Sequence, residues 1–88
     1  MLVKIVGDIG NTETKICVVN SNKILKRFNI RTADVNYQVM DKKLKFLKDY
    51  SFKKSIFSSV VPSTFKKIRL YFKKKYNIKI FELKETKI

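Results

Sequence analysis

Two short apolar runs near the start of the chain, Leu2 to Val6 and Ile16 to Val19, constrain the fold more than any other feature. Each is too short for a buried helix and rich in β-branched residues, so each reads as a strand. Between them lie Gly7, Asp8, Ile9, Gly10, Asn11, Thr12, Glu13, Thr14 and Lys15. The first strand is expected to stop on Gly7 and Asp8, which places a carboxylate at its end. A tight polar turn then leads into the second strand.

The chemistry of this turn can be read from residue types. Gly10 lacks a Cβ, so its backbone can take positive φ and approach a ligand closely. Asn11 and Thr12 carry short hydrogen-bonding side chains. Successive backbone N–H groups in such a turn form a concave anion site. Asp8 would repel a bare phosphate, which points to a divalent cation between the two. Mg²⁺ suits that place, because it keeps most of its waters and takes only one or two carboxylates. Lys15 can act as a point charge towards a phosphate oxygen. A plain β-hairpin with a Gly-Asn turn accounts for the same residues without any ligand.

The remaining elements follow in order. In the second strand, from Thr14 to Val19, Ile16 and Val18 take one face and Cys17 and Val19 the other. Both faces are apolar, so this strand is expected inside a sheet covered on both sides. Cys17 reads as a small core residue, since nothing adjacent would clearly lower its pKa. Asn20 to Lys23 form a turn cluster. A third strand, Ile24 to Ile30, is more polar and is expected at an edge, completing an antiparallel meander. Thr32 or Asp34 is expected to cap a helix carrying Val35, Val39, Met40, Leu44 and Leu47 at helical spacing and ending near Asp49. A fourth strand covers Ser55 to Val60. Pro62 suits the first turn of a second helix, with Ser63 as a competing cap. That helix runs to about Lys75 and buries Phe65, Ile68, Phe72 and Tyr76. A fifth strand spans Ile78 to Leu83, and the tail from Lys84 to Ile88 shows no clear element. After a helical crossover the fourth strand is expected parallel to the first. Asp8 and Ser58-Ser59 then share the rim where ligands of open α/β sheets bind.

Size and composition exclude several classes. Eighty-eight residues make at most one small domain, burying about 60–65% of its unfolded surface. No apolar stretch is long enough to span a membrane, and no signal peptide is visible. The single cysteine rules out an internal disulfide and fits a reducing cytoplasm. The absence of histidine excludes His-based catalysis and His-ligated metal within the chain. The net charge of +14 raises nucleic-acid binding. Lysine outnumbers arginine, however, and occurs in every segment, so a solvated basic surface is expected, without specific nucleic-acid recognition.

Asp8-Ile9-Gly10-Asn11-Thr12 with Lys15 resembles the phosphate-binding signature of type III pantothenate kinases. These belong, with the Bvg accessory factor, to the acetate and sugar kinase, Hsp70 and actin superfamily. Ser58-Ser59-Val60-Val61-Pro62-Ser63 resembles a second signature of that family, about fifty residues further on. The resemblance implies a ribonuclease-H-like β-β-β-α-β-α-β mixed sheet, the first and incomplete domain of an actin-like ATPase fold. It implies ATP-dependent phosphorylation of pantothenate, the first step of coenzyme A biosynthesis. Asp8, Gly10, Asn11, Thr12 and Lys15 would bind ATP phosphate, Asp8 would hold Mg²⁺, and Ser58 and Ser59 would line the cleft. Cofactors would be ATP, Mg²⁺ and a monovalent cation, K⁺ or NH₄⁺. The full-length form would be a cytoplasmic homodimer without a membrane partner. The resemblance covers about the first third of a family member. The family's Gly-Ala-Asp-Arg segment, with its catalytic base, and the second domain would lie beyond Ile88. No catalytic residue is therefore expected in this chain, which should be inactive alone. A non-catalytic accessory protein of the same family and a basic nucleic-acid-binding module are the alternatives. Arg31 and Thr32 match the family only loosely and receive no site role.

Overall fold

The computed structural model describes residues 2–21 and 23–83. Asn22 of the expected turn cluster and the tail from Lys84 to Ile88 lie outside the described residues. Five strands form one sheet: β1 (Leu2–Ile9), β2 (Glu13–Asn20), β3 (Lys23–Arg31), β4 (Ser51–Ser59) and β5 (Phe81–Leu83). Two helices, α1 (Tyr37–Lys43) and α2 (Pro62–Tyr76), connect β3 to β4 and β4 to β5. The spatial order is β3-β2-β1-β4-β5. The first three strands are an antiparallel meander with β3 at the edge, whereas β4 runs parallel to β1 and β5 parallel to β4. This is the mixed sheet expected from the sequence.

Alternation along the strands decides which face is covered. Val3, Ile5, Gly7 and Ile9 of β1 are buried, as are Thr14, Ile16 and Val18 of β2 and Ser55 and Phe57 of β4. Against them pack Met40 and Leu44 from α1 and its exit, and Phe65, Ile68, Tyr71 and Phe72 from α2. Aromatic rings fill the space between α2 and β4. Phe72 lies 6.1 Å from Phe52 and 6.2 Å from Phe57, and Tyr76 lies 5.1 Å from Phe52, measured between ring centroids. Tyr71, which the sequence reading left out of the stripe, is also buried and donates a 3.4 Å hydrogen bond to Asp41. Burial, more than the neighbouring Tyr76 and Asp41, pushes its phenol well above the ordinary tyrosine range.

Cover on both sides of β2 does not hold among the described residues. The opposite sheet face carries a cross-strand row of Cys17, Val6, Ile56 and Phe81. Val6 is 45%, Ile56 38% and Phe81 50% exposed, so this face is open. The reason is topological, since both described helices pack into the same core.

Three local expectations are also corrected. First, β1 does not stop at Gly7 but continues to Ile9. Gly7 stays in the strand because β2 and β4 pair with β1 through Ile9, and the position takes glycine because a Cβ there would overlap the buried Phe57 ring. Second, neither Thr32 nor Asp34 caps the first helix. Both fall in a 3₁₀ turn, Thr32–Asp34, and Asn36 caps α1 by accepting from the Val39 N–H at 2.9 Å. The helix then ends at Lys43, and a second 3₁₀ turn, Lys45–Asp49, follows. A 3₁₀ turn stacks residues three apart, so Leu44 and Leu47 both stay fully buried. Third, α2 takes Val61 as its N-cap without a side-chain bond, and Ser63 does not cap it. The helix ends on Asn77 in the left-handed region (φ 55°), where the Ile78 N–H reaches back to the Phe72 carbonyl at 3.3 Å. Ile78 to Ile80 then run as irregular chain, so β5 begins only at Phe81.

The Asn36 cap gives a first test. Asn36→Ala is expected to lower stability by about 1 kcal/mol, read as a shift in the urea midpoint at constant slope. An unchanged midpoint would contradict the cap.

A candidate phosphate-binding rim at the ends of β1 and β4

The rim is assembled by strand register. Asp8 pairs with Lys15 of β2 on one side and with Ser58 of β4 on the other. Residues in register share a sheet face, so Lys15, Asp8 and Ser58 form one row on the open face. Asn29 extends the row through Lys15, and Leu83 extends it through Ser58. Asp8 and Lys15 are exposed and Ser58 is half-buried. A carboxylate thus stands between an ammonium and a hydroxyl at the carboxyl ends of two parallel strands.

The turn follows directly. The Gly10 N–H donates to the Glu13 carbonyl at 2.9 Å and closes the β1–β2 hairpin. Asn11 and Thr12 are exposed at its tip. The expected reason for Gly10 needs correction, because no glycine here has positive φ. Its missing Cβ matters for space: a Cβ would sit 3.1 Å from the Glu13 carbonyl oxygen. The hairpin reading and the anion-site reading of the sequence therefore describe the same piece of backbone.

The two serines separate. Ser58 shares the face of Asp8, whereas Ser59 pairs with Ile9, whose side chain is fully buried in the core. Ser59 Oγ accepts from the Val61 N–H at 3.0 Å and donates to the Val61 carbonyl at 3.1 Å. Its hydroxyl is committed to the turn that leads into α2. The Val60 N–H donates to the Ile9 carbonyl at 3.0 Å and ties that turn back to β1. The structure thus brings Ser58 to Asp8 and gives Ser59 a local task.

The sequence reading missed the support behind the hairpin. Thr32 Oγ1 donates to the Gly10 carbonyl at 2.7 Å and lies 3.0 Å from Thr14 Oγ1, and the Thr32 N–H donates to the Thr12 carbonyl at 2.8 Å. Thr14 and Thr32 are both buried. A threonine on the inward face of an otherwise apolar strand, as Thr14 is beside Ile16 and Val18, was the available signal. Cys17 is free and half-buried on the open face. No cluster of three or more His, Cys, Asp or Glu side chains suited to a metal occurs among the described residues. An open depression of about 520 Å³ lies beside β3, lined by Asn29, Arg31, Asp34 and Lys43 among others. None of residues 8–12 lines it.

A mixed sheet of this strand order is that of the ribonuclease-H-like unit of the actin-like ATPase fold. Solved structures share this fold. The Aquifex aeolicus PPX-GPPA enzyme superposes with a TM-score of 0.54 at 10% identity, covering 93% of this chain and 36% of that one. A type II variant of the Aquifex aeolicus Ppx/GppA phosphatase gives 0.54 at 9% identity, covering 94% and 36%. At the level of family, a model of type III pantothenate kinase matches residues 4–88, and the chain belongs to that family. The type III pantothenate kinase of Pelagibacter ubique is 49% identical over 87 aligned residues, covering 96% of this chain. The chain spans 35% of that relative's length. No described helix is long and apolar enough to cross a membrane.

Proposed function

We propose that this chain is the phosphate-binding portion of a type III pantothenate kinase, which transfers a phosphoryl group from ATP to the hydroxyl of pantothenate in coenzyme A synthesis. The observation that carries this reading is the register that puts Asp8 beside Ser58, next to the closed Gly10–Glu13 turn. Family membership supplies the substrate. Phosphoryl transfer needs positioning and charge neutralisation more than covalent help, and this rim offers both.

The donor set fits a magnesium–nucleotide ligand. One exposed carboxylate flanked by a hydroxyl suits Mg²⁺, which takes few protein ligands and keeps its waters. When bound, Mg²⁺ neutralises charge on the phosphates. Asp8 holds it, directly or through water. Asn11 and Thr12 offer backbone and side-chain donors to phosphate oxygens, and Gly10, whose N–H is committed to the Glu13 carbonyl, closes the turn that presents them. Lys15 offsets phosphate charge from the neighbouring strand, and Ser58 lines the cleft wall. A monovalent cation, K⁺ or NH₄⁺, homodimer formation and a cytoplasmic location belong to the same proposal for the whole enzyme. The catalytic base lies in the part of the enzyme this chain does not span, so the chain alone is inactive. Exposed lysines occur on the strands and on both helices, which favours this reading over a nucleic-acid module with one basic face.

Grafting tests the proposal. Residues 4–88 replace the matching segment of the Pelagibacter ubique relative. The chimera is expected to phosphorylate pantothenate only with ATP and Mg²⁺, while the chain by itself shows no turnover. A folded chimera without activity would contradict the proposed function. Turnover by the chain alone would contradict its partial site.

A further inference from the structure

Thr32 sits at the end of β3, outside both sequence signatures, yet it makes three contacts to the hairpin that joins β1 to β2. Its N–H donates to the Thr12 carbonyl at 2.8 Å and its Oγ1 to the Gly10 carbonyl at 2.7 Å, while Thr14 Oγ1 lies 3.0 Å from Thr32 Oγ1. A hydroxyl has one proton to give. Thr32 spends its proton on Gly10, so the Thr14 hydroxyl must donate to Thr32. The result is a directed chain, from Thr14 to Thr32 to the Gly10 carbonyl, inside a site where Thr14 is fully buried and Thr32 is 6% exposed. Serial hydrogen bonds in a buried site polarise one another.

The geometry points to Thr32 as a positioning residue for the phosphate-binding turn. It holds the Gly10 and Thr12 carbonyls towards the core, and the alternating peptide units between them are thereby kept from rotating. An anion site made of backbone N–H groups works only while those groups stay aimed. Thr32 touches no ligand in this role; it acts through residues 10 and 12. The inference rests on the phosphate-site reading of that turn, but the clamp itself is a property of the free chain.

Two variants separate hydroxyl from shape. Thr32→Val keeps the volume and removes the Oγ1 bonds, whereas Thr32→Ser restores the hydroxyl. The Gly10 N–H, bonded to the Glu13 carbonyl, exchanges when the turn opens, so loss of one bond that holds the turn corresponds to roughly five- to tenfold faster exchange there, with core amides of α2 unchanged. Thr32→Ser should return to the wild-type rate. Thr14→Val leaves the bond to Gly10 in place, so it should change exchange at Gly10 less than Thr32→Val does, and it provides the comparison if Thr32→Val fails to fold. On addition of Mg²⁺ and ATP, the shifts of the Gly10–Thr12 amides should be reduced in Thr32→Val and recovered in Thr32→Ser. Equal exchange at Gly10 in wild type and Thr32→Val, or a larger effect from Thr14→Val, would overturn the clamp. A wild-type chain whose turn amides ignore Mg²⁺ and ATP would overturn the phosphate-site reading and the positioning role with it, while the exchange rates would still report whether the clamp exists.

Discussion

Gly7→Ala is expected to lower the melting temperature of the chain by about 5–20 °C. Gly7 lies inside β1, in register with Ile16 of β2 and Phe57 of β4. The Phe57 ring lies against the Gly7 backbone, and a Cβ built there overlaps three of its carbons. A free phenyl ring would swing aside at little cost. This one is fully buried and packed against Phe72, so it has nowhere to go. Overpacking of this kind costs about 1–3 kcal/mol, and each kcal/mol moves the midpoint of a domain this size by roughly 4–8 °C. The backbone at Gly7 is not in the left-handed region, so alanine meets no dihedral penalty there. The loss must therefore come from the ring. Combining Gly7→Ala with Phe57→Leu checks that assignment, because residues in contact couple and the pair should lose less than the sum of the singles. A Gly7→Ala chain melting within two degrees of wild type, a margin of about 0.5 kcal/mol, would show that the ring is not confined. The consequence reaches the rim, since this contact fixes β1 against β4 one residue before Asp8 and Ser58.

Asp8→Asn is expected to reduce pantothenate phosphorylation by the chimera on the order of a hundredfold or more, the scale on which removing a single charge-stabilising group acts. Asparagine keeps the size of the side chain but removes the charge that would hold a divalent cation. Asp8 is exposed and lies outside the core, so the fold should survive. The effect should appear in kcat and in the Mg²⁺ requirement together. Activity unaffected by Asp8→Asn, in a chimera that turns over normally, would instead favour a non-catalytic accessory role for this segment.

Much of this arrangement was legible in the residues. The meander, the edge position of β3 and the parallel β4 follow from alternation, turn chemistry and the crossover rule, and these place Asp8 beside Ser58. What was not legible depends on tertiary contact. Gly7 read as a strand terminator because its partner ring is fifty residues away. Ser58 and Ser59 read as a pair, although a period of two must put them on opposite faces. Thr32 read as a helix cap because threonine suits caps, and only the folded chain shows its hydroxyl under Gly10. Apolar residues on both faces of β2 implied two-sided cover, yet Val6, Ile56 and Phe81 stand exposed among the described residues. The helix after Asp34 read as continuous because Leu44 and Leu47 keep an inward face whether the turn is α or 3₁₀.

The central claim is that Asp8 makes this turn a magnesium-dependent phosphate site. The most direct measurement is a titration of the ¹⁵N-labelled chain with ATP, with and without Mg²⁺, in wild type and Asp8→Asn. The account predicts that the amides of Gly10, Asn11, Thr12 and Ser58 shift with ATP only when Mg²⁺ is present, and that Asp8→Asn removes the response. Shifts confined to the lysine-bearing outer face of α2, indifferent to Mg²⁺ and erased by salt, would contradict it.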